Sequence, residues 1–207
     1  MPDTFYFADE DDPEVVLFSD FVALLGITPV YPGSFFGEGT TDLASAWDDW
    51  RKNWFAPHLG PAFTKVFQLA TAQKVNEIAE IDRDLEKALA ESLSAKSRTA
   101  ALAFLEGKSE MQGNREWQRL ARLIENSETP GLLTTLFAFH SALYHLPLAS
   151  ALRSYARYEF HCGRTSFPRL DSAEETLIFQ RILPDVAVAV KADLSDNTDS
   201  GHQLRAI

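Results

Sequence analysis

The chain has 207 residues, of which 45% are hydrophobic and 24% charged, with a formal net charge of −11 at pH 7. That apolar share excludes a largely disordered chain, and so negative a field repels a phosphate backbone, which argues against nucleic acid as a partner. A single cysteine, Cys162, rules out an internal disulfide framework and fits a reducing compartment.

Only 10 glycines are present, few for an all-β fold full of tight turns. The first ten residues lack both the basic and the apolar region of a signal peptide, and no apolar run reaches the roughly 18 residues of a membrane span. The expectation is a cytoplasmic, all-α single domain of about seven to nine helices. It would run from 13 to 194, between an acidic arm (1–12) and a polar, frayed tail (195–207).

The acidic arm contains Asp9-Glu10-Asp11-Asp12, followed by Glu14. Such a run suits a solvated arm, a helix N-terminus, or a landing site for a basic partner. Pro13 opens a first helix through Leu25, and Gly26 suits its stop. Residues 27–39 hold Pro29, Pro32, Gly33, Gly37 and Gly39 and read as a loop. Thr40 or Thr41 can cap a second helix that carries Leu43, Ala46, Trp47, Trp50 and Trp54 at helical spacing.

Ala56-Pro57-His58-Leu59-Gly60-Pro61 reads as a break, and a long helix is expected from Pro61 to about Ala90. Ser94 starts the next, which ends near Gly107, and Trp117, Leu120, Leu123 and Ile124 mark a short amphipathic one. After a break at Ser127–Gly131, residues 132–145 are apolar on most faces, as in a helix at the centre of a bundle. Leu148 to about Phe160 forms another, followed by a linker at His161–Gly163 and Phe167-Pro168. Ser172 and Glu175 read as a capping box for the last helical stretch, which meets Pro184 and continues through Val190.

No phosphate loop, dinucleotide fingerprint, His-Glu-x-x-His or Glu-x-x-His pattern occurs. The acids at Asp48-Asp49 and at Asp82 and Asp84 read as exposed helix-face carboxylates. His140 and His145, five residues apart, lie roughly 140° apart around a helix axis and cannot easily share a metal. His161 beside Cys162 could ligate a soft ion or form a nucleophile pair, but no third ligand or orienting group accompanies them. The chain is therefore expected to have no catalytic residues, no metal site and no cofactor. Its four tryptophans and fifteen phenylalanines suit a core, with some free to form a dimer or partner surface.

Three stretches, in order, resemble urease accessory protein F (UreF). Leu24-Leu25 through Tyr31–Asp42 is similar to the family's early loop, with Gly33, Ser34, Phe35, Gly39 and Asp42 on matching positions. Ile81-Asp82-Arg83-Asp84-Leu85 and Ser94–Leu105, with Arg98, resemble the family's Asp-Arg helix and its Arg-containing successor. Gly131–Arg157 resembles the family's small-residue helix, its short break (here Leu146-Pro147-Leu148) and its Ala-Leu-x-x-Tyr helix (here Ala151-Leu152-x-x-Tyr155). Glu174–Leu183 resembles the Gln-Arg-Leu-Leu helix that closes the domain. The departures are Phe36, Gly37 and Glu38 where the family carries His or Tyr followed by Ser, Thr41 in place of a Leu, and Phe167–Asp171 in place of Pro-Leu-Gly-Gln-Thr.

The resemblance implies an all-helical, usually homodimeric scaffold without a catalytic centre. Such a scaffold binds a UreD/UreH-like accessory protein and a UreG-like GTPase, and through them helps deliver nickel to apo-urease. Its expected partner-binding residues are Gly33, Ser34, Phe35, Phe36, Gly39, Asp42, Arg98 and Tyr155. Phe35 and Phe36 fit equally a plug at the end of the bundle or a contact surface. Two alternatives remain open: a helical enzyme or cofactor binder of the haem-oxygenase or thiaminase-like kind using His140 or His145, and a stand-alone interaction module.

Overall fold

The structure, a computed structural model, describes residues 42–106 and 114–202, and side chains within that range except those of Ala103, Glu106 and residues 193–202. The fold is all-α. Among the described residues there are nine α-helices and one π-helical segment: α1 (Leu43–Trp50), the π segment (Arg51–Leu59), α2 (Gly60–Thr71), α3 (Val75–Ala88), α4 (Glu91–Glu106), α5 (Arg115–Glu125), α6 (Leu133–Leu143), α7 (Leu148–Arg164), α8 (Ser172–Gln180) and α9 (Leu183–His202). The expected helix over Pro13–Leu25 and the loop over 27–39 lie outside the described residues.

Local chemistry explains where these boundaries depart from expectation. Asp42, rather than a threonine, caps α1, because its carboxylate accepts the Ser45 N–H at 2.8 Å. Asp171, rather than Ser172, caps α8 in the same way, accepting the Glu174 N–H at 2.8 Å. The expected break around Pro57 is instead helical. Proline has no N–H to give and its ring crowds the carbonyl four residues back, and the wider π register carries the chain through it. The long helix expected from Pro61 divides at Ala72–Lys74, where Gln73 takes φ 59°. Helix α7 runs on to Arg164, so the expected linker at His161–Gly163 is its last turn. Pro184 opens α9 instead of interrupting a helix, and α9 continues through 195–202, the stretch read as polar tail.

The centre is α6. Every residue from Leu133 to Ala142 is buried, and α6 packs against α2, α4 and α7. Helix α2 also meets α3, α7, α9 and the π segment, so these two helices together carry most of the interior. Aromatic rings fill it. Trp47 and Trp50 stack with centroids 4.7 Å apart, Phe160 meets the edge of Trp47 at 5.0 Å, and Phe63 and Phe137 lie 5.4 and 5.6 Å from Tyr155. Each such side chain removes roughly 150–250 Å² from water, and truncating one to alanine typically costs about 3–5 kcal/mol.

The start of α6 is held from outside. Its N-cap residue, Leu132, has no side chain able to accept the orphan N–H groups of the first turn. Asp82 of α3 supplies the acceptors instead. One carboxylate oxygen takes the N–H of Gly131 at 2.6 Å and the hydroxyl of Thr129 at 2.7 Å; the other takes the N–H of Leu132 at 3.1 Å and the hydroxyl of Thr135 at 2.5 Å. Ser97 of α4 accepts the Leu133 N–H at 3.0 Å. The turn before α6 needs Gly131, whose φ is +68° and whose missing Cβ would sit 2.9 Å from the Ile124 side chain.

Candidate functional site

The expected partner-binding residues do not converge. Gly33, Ser34, Phe35, Phe36 and Gly39 lie outside the described residues. Asp42 is exposed, and its work is local: the Ser45 backbone N–H and hydroxyl hold its carboxyl below the usual range. Arg98 of α4 pairs with Glu86 of α3, which staples two neighbouring helices at a half-exposed position. Tyr155 is fully buried, and its hydroxyl shares a 2.8 Å hydrogen bond with Thr134. Burial, then the nearby Glu159 charge, drives its ionisation well above the ordinary value. Tyr155 is therefore a core residue joining α6 to α7, and it presents nothing to a partner.

The tryptophans of α1 are likewise interior. Trp47 and Trp50 are buried, and Trp54 on the π segment packs partly buried against the same cluster. Around them runs a polar clamp. Arg51 contacts Asp185 at 3.1 Å and donates to the Arg181 carbonyl, while Arg181 pairs with Asp48 at 3.1 Å. Partial burial raises the Asp185 carboxyl, helped by Asp48, while Arg51 opposes it. The clamp fastens the start of α9 to α1 and the π segment.

The candidate chemical groups are packed or paired. His140 is fully buried on α6, with Tyr144, Phe104 and Trp117 rings at 4.7, 5.4 and 5.6 Å, so its imidazole is a member of the aromatic core. Burial pulls the His161 pKa down, and Arg164 adds to that. Cys162 is buried, and burial together with the Glu159 charge pushes its thiol up to about 12. A thiolate nucleophile is thus absent there at neutral pH. Among the described residues no group of three or more His, Cys, Asp or Glu side chains is arranged to hold a metal.

Asp82 is the main residue that sequence reading placed wrongly. Its carboxylate is fully buried, not on an exposed face, and desolvation raises its pKa against the lowering effect of its four donors, Thr135 foremost. Asp84, two residues on, does face water and is held low by Lys87, 2.7 Å away.

Among the described residues the most exposed large aliphatic side chains are Leu102 of α4, at 57%, and two on the consecutive helices α8 and α9. Leu177 of α8 is 66% exposed and Val188 of α9 is 68% exposed, and Leu183, Pro184 and Ala187 of α9 are exposed as well. On α9 these positions follow the i, i+1, i+4, i+5 spacing of a single helix face, while Val186 and Ala189 on the other side enter the core. No helix among the described residues is long and apolar enough to cross a membrane. No protein-family model matches this sequence, no curated protein is detectably similar to it, and no solved structure matches its fold.

Proposed function

We propose that the chain is a non-catalytic docking scaffold of the urease accessory protein F kind, assisting nickel insertion by binding a UreD/UreH-like protein and a UreG-like GTPase. The observation that supports this reading best is the exposed apolar side chains of α8 and α9. Leu183, Pro184, Ala187 and Val188 share one exposed face of α9, and aliphatic groups gathered on a helix face cost free energy in water and mark protein contact surfaces. Leu177 and Leu183 belong to the very stretch, Glu174–Leu183, that resembles the family's closing helix. The clamp from Arg51 and Arg181 holds these helices in place, so a partner meets a preformed surface.

The test is assembly on a sizing column. The chain, a UreD/UreH-like protein and a UreG-like GTPase are mixed and run together, with wild type compared against Leu177→Asp and Val188→Asp. The reading expects co-elution for wild type, its loss for both variants, and unchanged helical dichroism throughout. A complex that survives both substitutions refutes the docking face. Absence of any complex with the wild-type chain refutes the choice of partners.

A further inference from the structure

Helix α5 places Arg115, Arg119 and Arg122 on one face, each of them exposed or half-buried. At about 100° per residue they fall within an arc of roughly 60°. The acids of the same helix, Glu116 and Glu125, lie outside that arc. Arg119 leans toward α3, donating to Asn76 at 3.1 Å and approaching Glu116 at 4.0 Å. Arg115 and Arg122 form no ion pair with any described residue. Arginines spaced three and four apart on a helix repel one another, and here they do so in a chain whose net charge is −11. A strip of positive charge on so acidic a molecule is a place where its own negative charge can be satisfied.

The complementary group is present in the sequence. Asp9, Glu10, Asp11, Asp12 and Glu14 form the densest acidic run of the chain, outside the described residues. We infer that the arginine face of α5 is the docking surface of this chain's own acidic run. Reach is not a constraint. The roughly 28 residues from Glu14 to Asp42 extend up to about 90 Å at 3.3 Å each, and still about 40 Å as continuous helix. A domain of this length has a radius of gyration of only about 17 Å. Tethering also holds the run at an effective concentration in the millimolar range, so modest charge pairing suffices for occupancy. The α5 face is separate from the apolar face of α9. It packs on α3, whereas α9 packs on α2, α7 and the π segment, and the inference stands whether or not the docking function above is right.

Disulfide trapping in the full-length chain tests it. Ala8→Cys adjoins the acidic run without removing an acid, and Gln118→Cys sits beside the arginine arc. Lys52→Cys, exposed on the π segment, replaces Gln118→Cys in the control pair. The native Cys162 is buried, with its thiol pushed up to about 12, and does not compete. In about 20 mM salt the 8–118 bond is expected to form at least tenfold faster than the 8–52 bond, within one chain. That advantage disappears in 0.5 M salt and in the R115E/R122E background, and it persists in R115K/R122K, which keeps the charge. Equal rates for the two pairs, or an 8–118 rate indifferent to salt and to charge reversal, overturns the inference. A cross-linked dimer also overturns it, since the occupant is then a second copy.

Discussion

Removing the Asp82 carboxylate tests whether this one side chain organises the centre of the fold. In Asp82→Ala the two buried hydroxyls, Thr129 and Thr135, can turn to other acceptors. The N–H groups of Gly131 and Leu132 cannot, because the backbone fixes their direction. Four hydrogen bonds to a charged acceptor contribute about 1.5–3 kcal/mol each, and desolvating the carboxylate costs several kcal/mol, so their difference is a net loss of about 2–6 kcal/mol. The two orphaned N–H groups, at about 1–3 kcal/mol each, give the same range by a separate route. For a domain of this size 1 kcal/mol corresponds to about 2–4 °C, so the thermal midpoint followed at 222 nm should fall by roughly 8–16 °C for a mid-range loss. The exposed Asp84→Ala on the same helix should leave the midpoint almost unchanged. If Asp82→Ala melts within about 2 °C of wild type, α6 is not capped from α3 in the way described.

Further outcomes rest on the same structure. Because burial raises the folded-state pKa of Asp82, its ionised form is disfavoured in the folded protein. The stability that wild type holds over Asp82→Asn should therefore widen as pH falls from above that raised pKa toward the unfolded value near 3.8, and urea titrations across that window check the sign. A gap that narrows on acidification contradicts it. Gly131→Ala meets both a left-handed φ and the Ile124 side chain, and should lower stability by about 1–3 kcal/mol in urea unfolding. Cys162, with its thiol at about 12 against 9.0 for a free one, should alkylate with iodoacetamide at pH 8 roughly a thousandfold more slowly in the folded chain than in urea. Rapid labelling of the folded chain would contradict its burial.

The architecture is legible in the sequence because bundle helices write their packing as 3.6-residue periodicity, and the apolar run at 132–145 announces the central helix. The boundaries are less so. Pro57 looks like a stop because α-helical rules forbid it, and a π register obeys different ones. Asp82 has a signal that polarity obscures: it occupies the stripe Val75, Ile78, Asp82, Leu85, Leu89, all of them buried. A carboxylate on an apolar stripe must find donors, and the Thr129–Thr135 segment, with its threonines and a glycine before a helix, is the place to look. Its partners are about 50 residues away, and no local pattern links them. The exposed side chains of α8 and α9 are hidden for the opposite reason. Leu177 and Val188 look like core residues, and only the fold reveals that nothing among the described residues covers them. Tyr155 is expected at a partner surface through resemblance alone, and the aromatic cluster around it makes it interior.

The most direct test of the docking account is a hydrogen-exchange footprint of the chain with and without a UreD/UreH-like protein. The account predicts slowed exchange concentrated in residues 177–191, on α8 and the first half of α9, with α1 and the arginine face of α5 unchanged. Protection confined to another surface, or none at saturating partner, would contradict it.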